Sequence, residues 1–138
     1  MKPAVEQAIE EIKLAGVGTQ VESMPDADGG AYVRVDEIDI GENLTPSTTW
    51  IAFQIVWTYP DADCYPHFID PSIIYVGSGS APNQHADGNL PTSMTRGATV
   101  PGFEGSAIQV SRRSNRRNAE TDTALHKLLR IIEFLRTR

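Results

Sequence analysis

The sequence predicts a single α+β domain over residues 1–138, with an N-terminal helix, a four-stranded antiparallel meander, a long flap loop and a C-terminal helix. Three observations support this order. Apolar residues recur at helical spacing near both ends of the chain, they alternate with polar residues in its first half, and residues 77–105 show no periodicity. A chain of 138 residues is long enough to build one core without disulfides or metals.

The first element is a helix predicted over residues 3–15. Pro3 suits a first helical turn, and Gly16 is a natural end. The apolar residues that share one helical face are Val5, Ala8, Ile9 and Ile12.

A period of two replaces the helical spacing from about Thr19. Residues 26–30 have strong turn chemistry, and an irregularity is predicted at Asp36-Glu37. The predicted strands begin at Val21 and continue with residues 32–40, 50–57 and the short segment 73–76. The third of these has the clearest alternation.

The second half is predicted to contain a flap and a helix. Residues 77–105 are rich in Gly, Ser, Pro, Asn and Thr, and such a long connection in a compact domain is usually functional or disordered. A helix is predicted from about Thr121, with Thr121 or Asn118 as its cap. Its apolar stripe consists of Leu125, Leu128, Leu129, Ile132 and Leu135.

Composition excludes several classes of protein. No apolar run approaches the roughly 20 residues of a membrane span, and acidic residues interrupt the N-terminal segment, which does not resemble a secretory signal. The single cysteine, Cys64, cannot form an internal disulfide, so a reducing, cytoplasmic location is expected. We predict no membrane association.

The formal net charge of −6 is unevenly distributed. Residues 1–70 carry thirteen acids and three bases, whereas residues 71–138 carry five acids and nine bases. The densest cluster consists of Arg112, Arg113, Arg116 and Arg117. Nucleic-acid binding is disfavoured because the chain is acidic and no aromatic residue interleaves these arginines. Docking of an acidic protein surface or a C-terminal carboxylate, and a solvated loop, both remain open.

Two motifs resemble those of the ubiquitin-conjugating (E2) superfamily. Tyr65-Pro66-His67-Phe68 stands where E2 proteins carry the Tyr-Pro that leads from their third strand to their fourth, and residues 59–60 repeat the dipeptide. Residues 81–91 read Ala-Pro-Asn-Gln-His-Ala-Asp-Gly-Asn-Leu-Pro, where standard E2 proteins have His-Pro-Asn, a Gly and then the catalytic cysteine. On this alignment Ala81 replaces the motif's histidine and Pro91 replaces its nucleophile.

The C-terminal part resembles the ending of the bacterial group called prokaryotic E2 family E. Residues 109–113 and Thr121-Asp122 precede a leucine-rich helix, as they do in that group. Val110 replaces its first Trp, Arg113 its His, and Arg116 or Arg117 its second Trp. The resemblance implies a UBC-like fold and, as partners, an E1-like activating enzyme, a ubiquitin-like modifier and a JAB-type peptidase.

The family resemblance directs attention to two reactive groups. Asn83 aligns with the amide that stabilises the oxyanion, but it has no nucleophile beside it. Cys64 is the sole candidate thiol, with His67 placed to lower its pKa and Asp61 and Asp63 placed to raise it. A displaced catalytic thiol on an exposed turn and an ordinary turn residue are both open interpretations.

No cofactor and no metal site are predicted. The only plausible ligand cluster is His67 with His85 and Asp87, and its spacing is not that of a zinc site. The stretch of residues 77–80 lacks the lysine of a phosphate-binding loop.

The leading expectation is a binding module. It binds a ubiquitin-like modifier or its E1-like enzyme, without standard catalysis, through Arg112, Arg113, Arg116, Arg117, Tyr65 and Pro66. One alternative is an active conjugating enzyme that uses Cys64, with Asn83 and His67 in support. Another is an E2-like accessory subunit whose partner is unrelated to protein modification.

Overall fold

The computed structural model describes residues 1–77 and 90–138, and this part of the chain is of the α+β class, as predicted. Its helices are α1 (Pro3–Ala15) and α2 (Ala124–Arg136). Its strands are β1 (Gln20–Pro25), β2 (Ala31–Asp39), β3 (Leu44–Thr45), β4 (Thr48–Ile55), β5 (His67–Ile69), β6 (Ile74–Tyr75), β7 (Met94–Thr99) and β8 (Ser106–Val110).

Six of these strands form one antiparallel sheet in the order β1-β2-β4-β5-β8-β7. Strands β1, β2, β4 and β5 therefore form a meander. The β7–β8 hairpin extends this meander by two strands. The predicted four-stranded sheet was too small. The short strands β3 and β6 pair separately from this sheet.

Helix α1 forms as its sequence predicts. Its predicted apolar face is buried in the main core. Gly16 ends the helix with a φ of +62°, a left-handed conformation that glycine adopts without the steric penalty of a Cβ, and its N–H is directed to the carbonyl of Lys13.

The predicted irregularity in the second strand is also confirmed. The register of β2 against β4 shifts between Val35 and Ile38, and Glu37 between them has a φ of +54°. Strand β4 ends at Ile55, so Trp57, placed at the end of the predicted strand, lies beyond it and is 53% exposed.

The prediction of the fourth strand was wrong. Segment 73–76 contributes only Ile74–Tyr75, which pair with Leu44–Thr45, and the fourth strand of the main sheet is His67–Ile69. All three residues of this strand are buried. A strand so short and covered on both faces shows no alternation in its sequence, which explains why the pattern missed it.

The irregular flap predicted for residues 77–105 is partly a strand. Strand β7 is mostly exposed and contains a register shift between Thr95 and Ala98, so polar residues and Gly97 mask its periodicity. The remainder of the prediction, residues 78–89, lies outside the described residues.

Helix α2 begins three residues later than the sequence predicts. Thr123 is its cap and accepts a hydrogen bond from the backbone N–H of His126, whereas Asn118 and Thr121 belong to the preceding turn. Of the predicted stripe, Leu128, Ile132 and Leu135 are buried, Leu125 is half-buried and Leu129 is 44% exposed. Ile131 and Phe134 complete the buried face.

The two faces of the sheet have different cores. The main core lies between the sheet and both helices, with Ile51, Phe53 and Ile55 of β4 on that side. A smaller cluster on the other face contains Ala52, Phe68, Val100 and Ala107. No helix in the described part of the chain is both long and apolar enough to cross a membrane.

Candidate functional site

Cys64 lies in the connection between β4 and β5, but its side chain is inside the protein. It is 2% exposed and belongs to the main core. Burial, aided by the neighbouring charge of Asp63, raises the pKa of the Cys64 thiol to about 12. The interpretation of an exposed, activated thiol is therefore contradicted: at neutral pH this group is a protonated core residue.

His67 also lies in the core, as the first residue of β5. It is fully buried, its ring centroid is 4.9 Å from that of Phe53, and neither ring nitrogen has a hydrogen-bond partner among the described residues. Burial, together with the charge of Lys127, lowers the pKa of His67 to about 3. A neutral imidazole without a bond to Cys64 does not activate that thiol.

Asp63 is the centre of a polar network beside these two residues. Its Oδ2 accepts hydrogen bonds from Lys127 Nζ at 2.9 Å and from the Ser114 backbone N–H at 2.9 Å. Lys127 Nζ also donates to Ser114 Oγ at 2.8 Å. Partial burial would raise the pKa of Asp63, but these hydrogen bonds outweigh it and lower the pKa. The network ties the β4–β5 connection to α2 and to the segment after β8.

Arg117 is part of this network and is not available on the surface as predicted. Its Nη1 donates to the backbone oxygen of Asp61 at 3.0 Å, and its Nε lies 3.6 Å from Asp63 Oδ1. The Arg117 side chain is 13% exposed. Its role is to hold the two loops together, so one of the four arginines leaves the predicted binding set.

Arg112 and Arg113 differ from Arg117 in their surroundings. The Arg113 guanidinium lies 4.0 Å from the centroid of the Tyr65 ring, and that of Arg112 lies 4.3 Å from the centroid of Phe134. Neither arginine forms an ion pair or donates a hydrogen bond to any residue in ranges 1–77 and 90–138. Their donors are therefore free for a partner, and the stacked rings restrict how the guanidinium groups move.

Two concavities share Arg112, Arg113 and Asn115 in their linings. The first, which we call the arginine cleft, has a volume of about 380 Å³ and is lined by Tyr65, Ser93, Ser111, Arg112, Arg113 and Asn115. The second, which we call the helix cavity, has a volume of about 210 Å³ and is lined by Arg112, Arg113, Ser114, Asn115, Lys127, Arg130 and Ile131. The structure thus brings Tyr65 together with two of the predicted arginines.

A larger groove of about 470 Å³ lies elsewhere, between the end of α1 and α2. Its lining mixes apolar side chains such as Val17 and Leu129 with Asp39, Glu133 and Arg136. Arg136 lies near Asp39, with 3.5 Å between their charged atoms. We place the candidate site at the arginine cleft because the cations there have no such partner.

The other predicted site residues are distributed as follows. Pro66 is half-buried next to Tyr65, and Arg116 is exposed with a φ of +52°. Pro91, the residue aligned with the E2 nucleophile, is buried. Asn83, His85 and Asp87 lie outside the described residues. Within the described ranges, no group of three or more His, Cys, Asp or Glu side chains is arranged to hold a metal ion.

Sequence reasoning missed Phe134, Lys127 and Arg130 as neighbours of the arginine segment. Phe134 and Lys127 are buried on the core side of α2, and their positions beside Arg112 and Asp63 arise only from tertiary packing. The absence of aromatic residues between the arginines in sequence was misleading, because the fold supplies Tyr65 and Phe134 from other elements. Both rings lie against guanidinium groups, and Phe134 is buried.

Comparison of the chain with protein-family models, with curated proteins and with solved structures finds no match.

Proposed function

We propose that the protein is a non-catalytic, E2-like binding module that receives an acidic segment of a ubiquitin-like modifier, or of its E1-like enzyme, in the arginine cleft. The observation that carries this proposal is the pair of arginines, Arg112 and Arg113, each stacked on an aromatic ring and neither neutralised by a described residue. The E2-like identity rests on the sequence motifs.

The non-catalytic part of the proposal rests on the thiol. Transfer by the standard E2 mechanism requires a thiolate that accepts the modifier as a thioester. The chain has one cysteine, and Cys64 is buried with a pKa of about 12. No other residue of the sequence can replace it as a thiol, so binding is favoured over transfer.

The binding part of the proposal rests on the chemistry of the cleft. A guanidinium group matches a carboxylate with two parallel hydrogen bonds, and one that is already held by a ring loses less freedom when it binds. Ser93, Ser111 and Asn115 add neutral polar groups to the same lining. This combination suits aspartate, glutamate or a C-terminal carboxylate of a protein partner.

The E2 resemblance is consistent with the position of the cleft. On the proposed alignment Pro91 replaces the nucleophile, and Ser93, two residues further on, lines the cleft. In an active E2 protein the end of the modifier reaches the nucleophile. A modifier bound here would therefore bring its C-terminal segment close to Arg112 and Arg113.

A binding experiment with a charge-matched control tests the proposal. Isothermal titration measures the affinity for the modifier and the E1-like enzyme encoded by neighbouring genes. We expect Arg113→Glu to weaken binding of one of them by at least about tenfold, since it replaces an attractive charge with a repulsive one. Lys13→Glu makes the same change at an exposed position of α1 and is expected to leave the affinity unchanged.

A charging assay separates the module from an enzyme. The protein is incubated with the E1-like enzyme, ATP and modifier, and adducts that thiol reductant removes are sought. We expect none, and we expect Cys64→Ala to retain wild-type binding. A reductant-sensitive adduct that disappears in Cys64→Ala would show that the protein is a conjugating enzyme.

The binding experiment has its own contrary outcome. Equal loss of affinity in Arg113→Glu and Lys13→Glu would remove the cleft from the proposal.

A further inference from the structure

The helix cavity, on the α2 side of segment 112–115, has a composition that the proposed protein docking does not explain. Four of its lining residues are cationic, namely Arg112, Arg113, Lys127 and Arg130. One of them, Lys127, is 5% exposed. A buried lysine beside a row of arginines is unfavourable unless anionic groups offset the charge.

The anionic groups that the structure places there offset only part of this charge. Asp63 accepts a hydrogen bond from Lys127, and Asp122 Oδ1 accepts one from Arg130 at 3.0 Å. Arg112 and Arg113 have no anionic partner among the described residues. Two positive charges at the cavity are therefore left without a counter-charge. Asp63 does not offset them, because it is shared between Lys127 and Arg117, whose Nε lies 3.6 Å from Asp63 Oδ1.

Hydrogen-bond donors are also left over. Lys127 Nζ carries three N–H donors, and it uses two of them for Asp63 Oδ2 and Ser114 Oγ. Each of the two stacked arginines offers a fork of five donors. The lining thus contains more donors than acceptors, which is the arrangement that an oxyanion satisfies.

The size of the cavity and the charge of the chain limit the ligand. A volume of about 210 Å³ lies below the range of roughly 300–1,000 Å³ typical of pockets for drug-sized ligands. The chain as a whole carries a net charge of −6, which repels extended polyanions such as nucleic acid. A single small anionic group fits both limits.

We propose that the helix cavity binds a small oxyanion, a phosphate or a carboxylate group, between Arg112, Arg113 and Arg130. This site goes beyond the proposed docking of a modifier, and it shares Arg112 and Arg113 with the arginine cleft. The oxyanion belongs to a free small molecule. Arg112, Arg113 and Asn115 line both concavities, so residues that line only one of them distinguish the sites.

Titration of the full chain with inorganic phosphate tests this assignment. Amide shifts of residues 112–115 and 127–131 are followed by NMR, and sodium chloride at equal ionic strength serves as the reference. We expect saturable shifts with phosphate only. Arg130→Gln is expected to weaken phosphate binding by about three- to tenfold, because Arg130 lines the helix cavity and not the arginine cleft. Its side chain is 56% exposed, so the variant is expected to fold.

Two controls make the outcome decisive. Lys13→Gln removes one exposed charge on α1, outside the lining of the cavity, and Ser93→Ala changes only the arginine cleft. Both variants are expected to bind phosphate normally. Acetate in place of phosphate shows whether the site accepts a planar carboxylate as well as a tetrahedral anion, and either result supports an oxyanion site. Shifts that equal those in chloride, or binding that Arg130→Gln leaves intact, would overturn the assignment. Modifier binding that persists in that event leaves the proposed function standing.

Discussion

Arg113 and Arg117 lie four residues apart in one segment, and the fold gives them opposite roles. Arg113 is exposed, stacks on Tyr65 and has no charged partner among the described residues. Arg117 is mostly buried and interacts with Asp61 and Asp63. The comparison shows that charge density in a sequence locates a cluster, whereas the availability of each charge depends on the acids that the fold places beside it.

Residues 64–67, where the connection from β4 enters β5, show the same contrast between buried and accessible side chains. Cys64 and His67, whose side chains suggest reactivity, are directed into the core. Tyr65 and Pro66, between them, are half-buried, and Tyr65 lines the arginine cleft. The inner residues maintain the structure while the outer residues remain open to a partner. The following predictions test this separation in order of expected size.

The largest effect is expected from Asp63→Ala, which removes the anion at the centre of the inner network. Lys127, with a side chain 6% exposed, would then be buried without its counter-charge. We expect the free energy of unfolding to fall by about 3 kcal/mol. Urea denaturation at neutral pH measures this change.

The double variant Asp63→Ala with Lys127→Met provides the control. It removes both charges, so we expect it to recover at least about half of the lost stability. A single variant that loses less than about 1 kcal/mol would show that the network is a solvated surface group, contrary to the inner role assigned to it.

The second prediction concerns the pH dependence that His67 contributes. Its pKa of about 3 in the folded protein lies below the value of 6.5 expected in the unfolded chain. Between these pH values the unfolded state binds the extra proton, so this contribution to stability is complete above pH 6.5 and decreases as the pH falls. We expect about 2 kcal/mol of loss between pH 7 and pH 4.5 from this residue.

Comparison with His67→Leu isolates this contribution. The variant removes the titrating ring and leaves the carboxylates unchanged, so its stability is expected to fall less steeply over the same pH range. At pH 7 it is expected to be as stable as the parent, because neither ring nitrogen has a hydrogen-bond partner among the described residues. Parallel stability curves for the two proteins would contradict a neutral, buried His67.

The sequence predicted those parts of the fold that have a long, regular pattern. Helix α1, with Pro3 and Gly16 at its ends, is in this group. The irregularity at Glu37, which interrupts such a pattern in β2, was also predicted. Strand β5 was missed because three buried residues show no alternation, and β7 because its exposed residues hide it. Turn chemistry and periodicity are local signals. Strand β5 depends on pairing with β4 and β8, whereas β7 belongs to a hairpin whose register shift interrupts the alternation.

The site was only partly predictable for a related reason. The arginine cluster and Tyr65 were found because charge and motif are visible in the chain. That Cys64 faces the core, and that Arg117 pairs with Asp63, depends on contacts between segments about fifty residues apart. No periodicity specifies such contacts, so the sequence leaves open whether Cys64 is a thiol on an exposed turn or an ordinary turn residue.

The smallest effect on stability is expected from neutralising the two arginines separately, and it tests the opening comparison directly. Arg117→Gln removes a mostly buried charge with two acceptors, and we expect a loss of about 1.5 kcal/mol. Arg113→Gln removes an exposed stacking contact, and we expect about 0.5 kcal/mol. Affinity for the partner should show the reverse order, with Arg113→Gln weakening it more than Arg117→Gln. If the same variant loses more stability and also more affinity than the other, then stability and binding are not divided between these two arginines.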